Sequence, residues 1–349
     1  MGKRRLKPKV RVTVAVISAA LLALVAYGVY VLANEYNYRF TEAVLEDGNV
    51  KIYPGMTLPE AAGLLAAEGF IASPVKMLRY ARMHDRDTVQ IGNYDLEKGS
   101  SYRTLLNTLV LGRQTPIRLT FNSFRAVESM AGAIARRTLA DSAAFMRVFY
   151  DDSVLRANGF NKQTLIAMFI PNTYEVYWTV TPEEFAGRMK KEYDRFWTSS
   201  RLSKAEKQGL APVEVSTLAS IVIEETKIED EMVDVAGVYI NRLRKGMPLQ
   251  ADPTVKFALG DPTIRRVLYR HLEVKSPYNT YKNAGLPPGP ICMSPIAAME
   301  AVLDYKRHDY YYFCANPDFS GRHVFAKTLS EHNRNAAAYA AELNRRKIR

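Results

Sequence analysis

Two adjacent glutamates, Glu224 and Glu225, lie near the end of a segment whose apolar residues recur with helical spacing. Counting back from Glu225 in helical steps gives a stripe of apolar residues, namely Val222, Ile221, Leu218 and Val215. Counting back from Glu224 gives a more polar face that includes Ser220 and Thr217. We therefore predict that Glu225 faces the protein interior. There, burial and the negative end of the helix dipole both raise the pKa of its carboxyl group.

A carboxyl group that stays protonated near neutral pH is what protonation of a glycosidic oxygen requires. Glu225 is therefore the candidate general acid of a sugar-cleaving site. The alternative is an exposed glutamate at a helix end, within the charged run from Glu224 to Glu231. From helix geometry alone, both interpretations stay open.

The sequence has no pattern for metal-dependent or serine-dependent hydrolysis. Its five histidines are scattered, and none lies in H-E-x-x-H or in Cys/His zinc spacing. The motif G-x-S-x-G is also absent. With only Cys292 and Cys314, the chain is not a disulfide scaffold, and we predict two small buried side chains, with a single bridge between them as the alternative. Neither a metal nor a cofactor is predicted.

Polar and aromatic residues downstream of Glu225 are candidates for binding sugar. Three lie in a turn bounded by prolines and are suited to hydrogen bonds with hydroxyl or acetamido groups: Gln250, Asp252 and Thr254. Three more lie in a segment that combines flat aromatic faces with polar tips, as stacking on pyranose rings requires: Tyr278, Asn279 and Tyr281. The alternatives are ordinary turn formation by Asp252 before Pro253, and buried packing of the tyrosines.

Two asparagines are candidates for supporting roles. Asn241 lies on the next predicted helix, and we expect it to brace the catalytic helix rather than to touch substrate. Asn172, in the proline turn Phe169-Ile-Pro-Asn-Thr-Tyr-Glu, is a candidate cleft residue together with Glu175. Ordinary turn chemistry is the alternative for Asn172 and Glu175.

Two predicted helices position these candidates. The first has Pro212 in its first turn, a favoured place for proline, and carries both glutamates. The second begins at the acidic run Glu229-Asp-Glu and ends in a basic run before Gly246, as the helix dipole favours. The run Gly285-Leu-Pro-Pro-Gly-Pro can form neither a helix nor a central strand, and it predicts a rigid surface loop.

The amino-terminal half predicts a small α+β domain over residues 49–121. Short strand patterns alternate there with helical patterns, over 50–53, 58–70, 75–83, 89–95, 101–111 and 117–121. From Ser123 onward the pattern is mostly helical, which predicts a larger helical domain with short strands over residues 122–345. The predicted fold class is therefore α+β.

An uncharged, apolar run from residue 12 to residue 33 has the length of a membrane-spanning helix. It is longer than the apolar region of a secretory signal, which favours an uncleaved signal anchor, although Val31 and Ala33 resemble a cleavage site. A basic tail, residues 1–11, precedes the run, and an acidic linker, residues 34–48, follows it. This asymmetry predicts a cytoplasmic amino terminus, with the rest of the chain on the outer side of the cytoplasmic membrane.

The net charge of +12 would favour a nucleic-acid partner if it were spread over the protein. Six positive residues precede the apolar run and four close the chain, which leaves +2 between them. So small a charge provides no electrostatic footprint for a polyanion, and nucleic-acid binding is not predicted.

Five sequence blocks follow one another between Leu218 and Ile291. They are Leu218-Ala-Ser-Ile-Val-Ile-Glu-Glu-Thr, Val235-Ala-Gly-Val-Tyr-Ile-Asn-Arg-Leu, Met247-Pro-Leu-Gln-Ala-Asp-Pro-Thr-Val, Ser276-Pro-Tyr-Asn-Thr-Tyr and Gly285-Leu-Pro-Pro-Gly-Pro-Ile. In this order they resemble the endolytic murein transglycosylase family (YceG-like, MltG). The resemblance covers essentially the whole chain and implies a LysM-like domain at 49–121 and a YceG-like catalytic domain at 122–345. The family's catalytic glutamate falls on Glu225, while Ile223 replaces an earlier glutamate of the motif.

The resemblance also implies a reaction and partners. Lytic transglycosylases cut peptidoglycan glycan strands with the 6-hydroxyl of N-acetylmuramic acid as nucleophile, so one carboxyl group serves as acid and then as base, without a cofactor. The family implies work beside peptidoglycan polymerases, the penicillin-binding proteins. Two alternatives remain open: a hydrolytic muramidase, and a non-catalytic, membrane-anchored protein that binds peptidoglycan.

Overall fold

The computed structural model describes residues 8–261, 263–264 and 266–346. Most of the predicted basic tail, residues 1–7, and the last residues of the second basic cluster, 347–349, lie outside the described residues. The described chain divides into two compact units. The first runs to Ile117 and includes Tyr177–Thr179, and the second comprises Arg118–Val176 and the chain from Val180 onward.

The first unit begins with a long helix, α1 (Pro8–Phe40), which is long and apolar enough to cross a membrane. The helix contains the whole predicted span of residues 12–33. It also continues through residues 34–40, where the sequence predicted a linker. The structure differs there because Tyr38 is buried against Tyr80 and Tyr102, with ring centroids 5.0 Å and 6.0 Å away.

Short strands and helices form the rest of the first unit: β1 (Gly48–Ile52), α2 (Leu58–Ala67), α3 (Pro74–Met83), β2 (Gly92–Leu96) and α4 (Tyr102–Val110). The two strands pair antiparallel, with Gly48 opposite Leu96 and Ile52 opposite Gly92. Each of these helices begins after a hydroxyl side chain that accepts a hydrogen bond from its first turn: Thr57, Ser73 and Ser101. These elements match the five that the sequence predicted over residues 50–111, whereas the strand predicted at 117–121 pairs with a strand of the second unit.

The second unit is mostly helical. Its first elements are β3 (Ile117–Thr120), α5 (Val127–Ala135), α6 (Ser142–Phe149), α7 (Asp152–Ala157), β4 (Thr173–Val176), α8 (Pro182–Phe196) and α9 (Ser199–Gln208). The site-bearing elements follow as α10 (Pro212–Glu225), α11 (Glu229–Arg244), α12 (Asp252–Leu259), α13 (Ile296–Leu303), β5 (Tyr312–Ala315), β6 (His323–Ala326) and α14 (Leu329–Arg345). β3 pairs with β4, and β5 with β6. The predicted α+β class is confirmed.

Helix α10 forms the centre of the second unit. It begins at Pro212, as predicted, and the Ala211 N–H preceding it donates a 2.7 Å hydrogen bond to the Glu214 side chain. Its residues from Val215 to Ile223 are all buried, because α9, α11, α12 and α13 pack around it. This burial fixes the position of the last residue of the helix, Glu225.

The proline-rich run 285–290 contains neither helix nor strand, as predicted, but it is partly buried rather than a surface loop. Gly289 lies so close to the Gln163 carbonyl that an added Cβ would be 2.2 Å from its oxygen. Just beyond the run, the Ile291 N–H donates a 3.0 Å hydrogen bond to Ser220 Oγ on α10. The run is therefore held against the buried helix.

The two cysteines are free thiols. Cys292 is buried beside α10, where its Sγ donates to the Ser220 carbonyl at 3.7 Å, and burial raises the pKa of its thiol to about 11. Cys314 is partly buried in β5. Cys292 is therefore the small buried side chain that the sequence predicted, and the alternative bridge is not formed.

Candidate active site

A cleft of about 390 Å³ opens in the second unit between α10, α11, α12, β5 and α14. Its lining is part polar and part aromatic: Glu225, Tyr239, Arg242, Leu249, Gln250, Asp252, Tyr281, Tyr312, Phe313, Leu329 and His332. The size and the mixed lining suit a polar ligand with flat apolar faces, such as a sugar chain.

Glu225 lies in this cleft at the carboxyl end of α10. Its Oε1 accepts a 2.7 Å hydrogen bond from the hydroxyl of Tyr239 on α11. Burial raises the pKa of Glu225 to about 7, and the negative charges of Asp252 and Glu224 act in the same direction. The Tyr239 hydrogen bond and the positive charge of Lys256 oppose this rise without cancelling it. Near neutral pH the carboxyl group therefore exchanges readily between its acid and base forms.

The neighbouring Glu224 has different surroundings. Its carboxylate forms ion pairs with Arg125 and with Lys227, the latter at 3.1 Å. Neither cation lines the cleft. The two adjacent glutamates thus have different partners, and of the two only Glu225 lines the cleft.

Three of the predicted substrate-binding residues lie in the cleft. Asp252, at the start of α12, accepts a 2.7 Å hydrogen bond from the Tyr281 hydroxyl through Oδ1. Gln250 precedes it in a left-handed backbone conformation (φ 53°), and its side-chain oxygen accepts from Arg242 Nη1 at 3.3 Å. Asp252, Gln250 and Tyr281 therefore form one wall, which faces the ligand space with hydrogen-bonding groups.

The other three predicted substrate-binding residues do not line the cleft. Thr254 is buried and bonds the Ala251 carbonyl at 2.7 Å. Asn279 is buried and donates to two backbone carbonyls, those of Leu272 and Val274. Tyr278 packs against Phe257, with ring centroids 4.7 Å apart. These side chains stabilise the loop that carries Tyr281 rather than contact a ligand.

The two predicted supporting residues also lie outside the cleft lining. Asn241 donates hydrogen bonds to the carbonyls of His308 and Tyr310, at 2.8 and 3.0 Å. It therefore braces the segment that leads into β5, not α10 as the sequence suggested. The Asn172 carbonyl accepts from the Phe121 N–H at 2.9 Å beside the β3–β4 pair, and its side chain accepts from its neighbour Thr173. Asn172 thus has the ordinary turn chemistry that was its alternative, and Glu175 does not line the cleft either.

Several cleft residues were missed from the sequence, and they come from α11, β5 and α14. Tyr239 and Arg242 lie three residues apart on one face of α11, and both are buried. The Arg242 guanidinium donates to the Tyr311 carbonyl at 2.6 Å and to the Leu249 carbonyl at 2.7 Å, so it joins both sides of the cleft. Polar residues are unusual on a helical face that is otherwise apolar, and this pattern in the sequence could have identified Tyr239 and Arg242 as site residues.

Aromatic side chains from β5 and α14 form a second wall of the cleft lining. The Tyr312 ring stacks on His332, with centroids 5.5 Å apart, and the Arg242 guanidinium lies over the Tyr312 ring at 5.2 Å. Phe313 meets the Tyr239 ring edge to face at 5.8 Å. Burial and the Arg242 charge both lower the pKa of His332. His332 is therefore a largely neutral ring at neutral pH, suited to packing against a ligand.

The fold and the cleft define a helix-rich α+β protein that holds a partly buried acid among hydrogen-bonding and aromatic side chains, the class of site that carbohydrate-cleaving enzymes use. The chain belongs to the YceG-like family, whose model matches residues 50–338.

Relatives of known name support this assignment. The chain is 30% identical over 311 residues to the endolytic murein transglycosylase of Bacillus subtilis (strain 168), covering 85% of this chain and 86% of that protein. It is 26% identical over 355 residues to the endolytic murein transglycosylase of Streptococcus pneumoniae (strain D39), covering 91% of this chain and 63% of that one. A crystal structure of a putative yceG-like protein from Listeria monocytogenes superposes with a TM-score of 0.56 at 30% identity, covering 83% of this chain and 98% of that one.

Proposed function

We propose that this protein is an endolytic peptidoglycan lytic transglycosylase. It cleaves the bond between N-acetylmuramic acid and N-acetylglucosamine within glycan strands and leaves 1,6-anhydro-N-acetylmuramic acid ends. The observation that supports this most strongly is Glu225, a partly buried carboxyl group with a pKa of about 7 in a sugar-sized cleft. The names of the relatives in Bacillus and Streptococcus support the substrate and the reaction class.

Glu225 acts twice in the proposed reaction. In the first step its protonated carboxyl group gives a proton to the glycosidic oxygen, the bond from that oxygen to the muramic acid C1 breaks, and C1 gains oxocarbenium character. In the second step the Glu225 carboxylate takes the proton of the C6 hydroxyl, whose oxygen bonds to C1. The acid is regenerated, and no water enters the products. A pKa near 7 suits both steps, because the donor and acceptor forms are similarly populated at neutral pH.

Tyr239 determines which oxygen of Glu225 reacts. Its hydroxyl donates to Oε1, which leaves Oε2 to carry the transferable proton. The same hydrogen bond stabilises the carboxylate that forms after the first step. Tyr239 is therefore a positioning residue, while Glu225 is the catalytic residue.

The two walls of the cleft provide different contacts for a glycan. We assign Gln250, Asp252 and Tyr281 to hydrogen bonds with hydroxyl and acetamido groups. The rings of Tyr312 and His332 form the apolar surface on which a pyranose ring packs. Thr254 and Tyr278 support this arrangement by joining the segment around Tyr281 to α12, and Asn279 by bonding the Leu272 carbonyl.

A hydrolytic muramidase is the second candidate, and the structure provides an observation in its favour. Asp252 places a further carboxylate in the cleft, and its charge raises the pKa of Glu225. Hydrolases of glycosides use such a pair, with the second carboxylate activating water or attacking C1. Asp252 would then be a catalytic base rather than a sugar-binding group.

Mass spectrometry of the products separates the candidates. The full-length protein in detergent is incubated with isolated glycan strands, and the fragments are weighed before and after borohydride reduction. Transglycosylation gives anhydro ends, which borohydride leaves unchanged. Hydrolysis gives ends heavier by one water that borohydride reduces. Reducible ends alone would overturn the proposal, and intact strands would indicate a binding protein without activity.

We also propose that α1 anchors the enzyme in the cytoplasmic membrane as a single span, with the catalytic unit on the outer side. The length of α1 and the basic residues before it support this topology. At that location the enzyme works beside the penicillin-binding proteins that polymerise glycan, and it terminates nascent strands. Protease added to intact spheroplasts should remove the chain beyond residue 40 and leave a protected stub. A protected catalytic unit would contradict the topology.

A further inference from the structure

Side-chain contacts fix α1 to α3 of the first unit. The guanidinium of Arg79 on α3 donates a hydrogen bond to the hydroxyl of Tyr30 on α1. One helical turn and a half further along α1, Glu35 pairs with His84 at 2.9 Å, just after the end of α3. Tyr38 then enters the core against Tyr80 of α3. The first unit is therefore joined to the anchor helix without a flexible linker.

These contacts place α3 at the boundary of the proposed membrane span. Tyr30 lies three residues before the end of the span at residue 33, and Glu35 lies two residues after it. With a rise of about 1.5 Å per residue, both contacts lie within about 5 Å of the boundary along the helix axis. α3 therefore lies at the depth of lipid headgroups.

The two faces of α3 differ in character. Met77, Tyr80 and Ala81 are buried in the core of the unit. The opposite face carries Val75, Arg79 and Arg82 at helical spacing, flanked by Lys76 and Met83, and all five are exposed. Val75 is 71% exposed and Met83 is 40% exposed. The outward face thus combines three positive charges with two uncovered apolar side chains.

We propose that this outward face of α3, residues Val75, Lys76, Arg79, Arg82 and Met83, docks on the surface of the membrane that α1 crosses. Its basic side chains bind the phosphates of anionic phospholipids, and Val75 and Met83 insert at the level of the upper acyl chains. The proposal rests on the proposed membrane anchoring by α1.

Charge and side-chain shape both favour a lipid surface as the partner. Lysine and arginine extend apolar stems along a hydrocarbon boundary while their charged ends stay among headgroups. Valine and methionine side chains that are exposed to water at the same depth become more stable when the acyl chains bury their apolar surface. Each basic residue near an anionic surface shifts the docked-to-undocked ratio by about fivefold at moderate salt.

The test uses the full chain in lipid nanodiscs. A fluorescent amino acid is introduced at position 75 in one protein and at position 25, inside α1, in another. Quenching by lipids with a nitroxide close to the headgroup is measured at position 75, and quenching by lipids with a deeper nitroxide at position 25. Each is compared in phosphatidylcholine alone and with phosphatidylglycerol added.

We expect position 25 to be quenched in both membranes. Position 75 should be quenched more strongly with phosphatidylglycerol. The double variant Lys76→Glu/Arg82→Glu should reduce the docked population by about fivefold or more for each charge. The matched variant Lys51→Glu/Arg113→Glu, with exposed charges elsewhere on the same unit, should leave it unchanged.

The possible results separate the two proposals. Quenching at position 25 without quenching at position 75 overturns the docking of α3 and leaves the anchor intact. It would also be the result if the basic face bound the carboxylates of peptidoglycan stem peptides instead of lipid. Quenching at neither position overturns the anchor, and the docking with it. A further result is quenching at position 75 that changes with neither phosphatidylglycerol nor the charge reversal. That result would overturn the proposal that the basic residues of α3 bind anionic phospholipids.

Discussion

The hydroxyl of Tyr239 donates a 2.7 Å hydrogen bond to Oε1 of Glu225, and so connects α11 with the end of α10. Both side chains line the cleft, and Tyr239 is almost completely buried. The contact favours the ionised form of Glu225, while burial and the charge of Asp252 favour the neutral form. The resulting pKa of about 7 thus reflects opposing effects of neighbouring groups, and the groups can be replaced one at a time by mutation.

Replacing Tyr239 with Phe removes the hydrogen bond that lowers the pKa of Glu225. The pKa should rise, so the alkaline limb of the pH–rate profile should move to higher pH. The rate should fall by about 10- to 100-fold, since a hydrogen bond to a charged group contributes about 1.5–3 kcal/mol. The measurement is the initial rate of glycan cleavage across the pH range.

Tyr150→Phe is the matched control, because it removes a tyrosine–glutamate hydrogen bond (2.9 Å, to Glu128) elsewhere in the same unit. Its profile should coincide with that of the wild type. A Tyr239→Phe profile that is lower but unshifted would mean that Tyr239 acts only through stability.

Replacing Glu225 with Gln retains size but removes the transferable proton. Loss of general acid–base function typically costs about 10²–10⁴-fold, and the loss should reach the upper end because Glu225 acts in both steps. Glu224→Gln should change the rate only slightly, since that carboxylate pairs with Arg125 and Lys227 outside the cleft lining. Release of anhydro-muropeptides measures the activity of both variants, with thermal melts to check folding. An active Glu225→Gln protein would refute the assignment.

Replacing Asp252 with Asn removes a negative charge that raises the pKa of Glu225. The pKa should fall, and the alkaline limb should move to lower pH, opposite in sign to Tyr239→Phe. The amide oxygen of Asn still accepts the hydrogen bond of Tyr281, so the wall should keep its shape. Asp304→Asn, an exposed carboxylate paired with Lys204, is the control. A large loss of activity, with no shift in the alkaline limb of the activity that remains, would favour Asp252 as a catalytic base.

The raised pKa of Glu225 also predicts how stability varies with pH. The folded protein holds this proton up to about pH 7, whereas a glutamate in the unfolded chain loses it near 4.5. Stability is therefore lost as the pH rises from 4.5 to 7, by at most about 3 kcal/mol, since each pKa unit corresponds to about 1.4 kcal/mol.

Glu225→Gln should lack this loss. Denaturant unfolding of wild type and variant at pH values below 4.5 and above 7 measures the difference, with Glu224→Gln as the control. A constant difference in unfolding free energy across this range would contradict the raised pKa.

The sequence predicted the elements that carry Glu225 because their signals are local. Apolar spacing, a proline in the first turn of α10 and an acidic start of α11 determine helices without reference to distant residues. The predicted apolar span lies within α1 for the same reason. The helical continuation through residues 34–40 was not predicted, because it depends on Tyr38 packing against Tyr80 and Tyr102.

The cleft was predicted less completely, because its lining depends on contacts between distant segments. Thr254 and Asn279 have side chains that suit sugar hydroxyls, but the same groups also satisfy backbone carbonyls, and in the structure they do the latter. No spacing rule distinguishes these uses. Tyr312 and His332 reach the cleft only because β5 and α14 pack together.

Arg242 fixes the relative position of two backbone segments at the cleft. One buried guanidinium donates to the carbonyl of Leu249 and to that of Tyr311, so a single planar group ties these two backbone segments together. Planar groups with several simultaneous hydrogen bonds resist stretching and bending alike. A glycan strand that enters this cleft therefore meets backbone segments whose positions are already fixed by Arg242. We therefore expect the cleft to select among polymers by their thickness as they enter, before proton transfer begins.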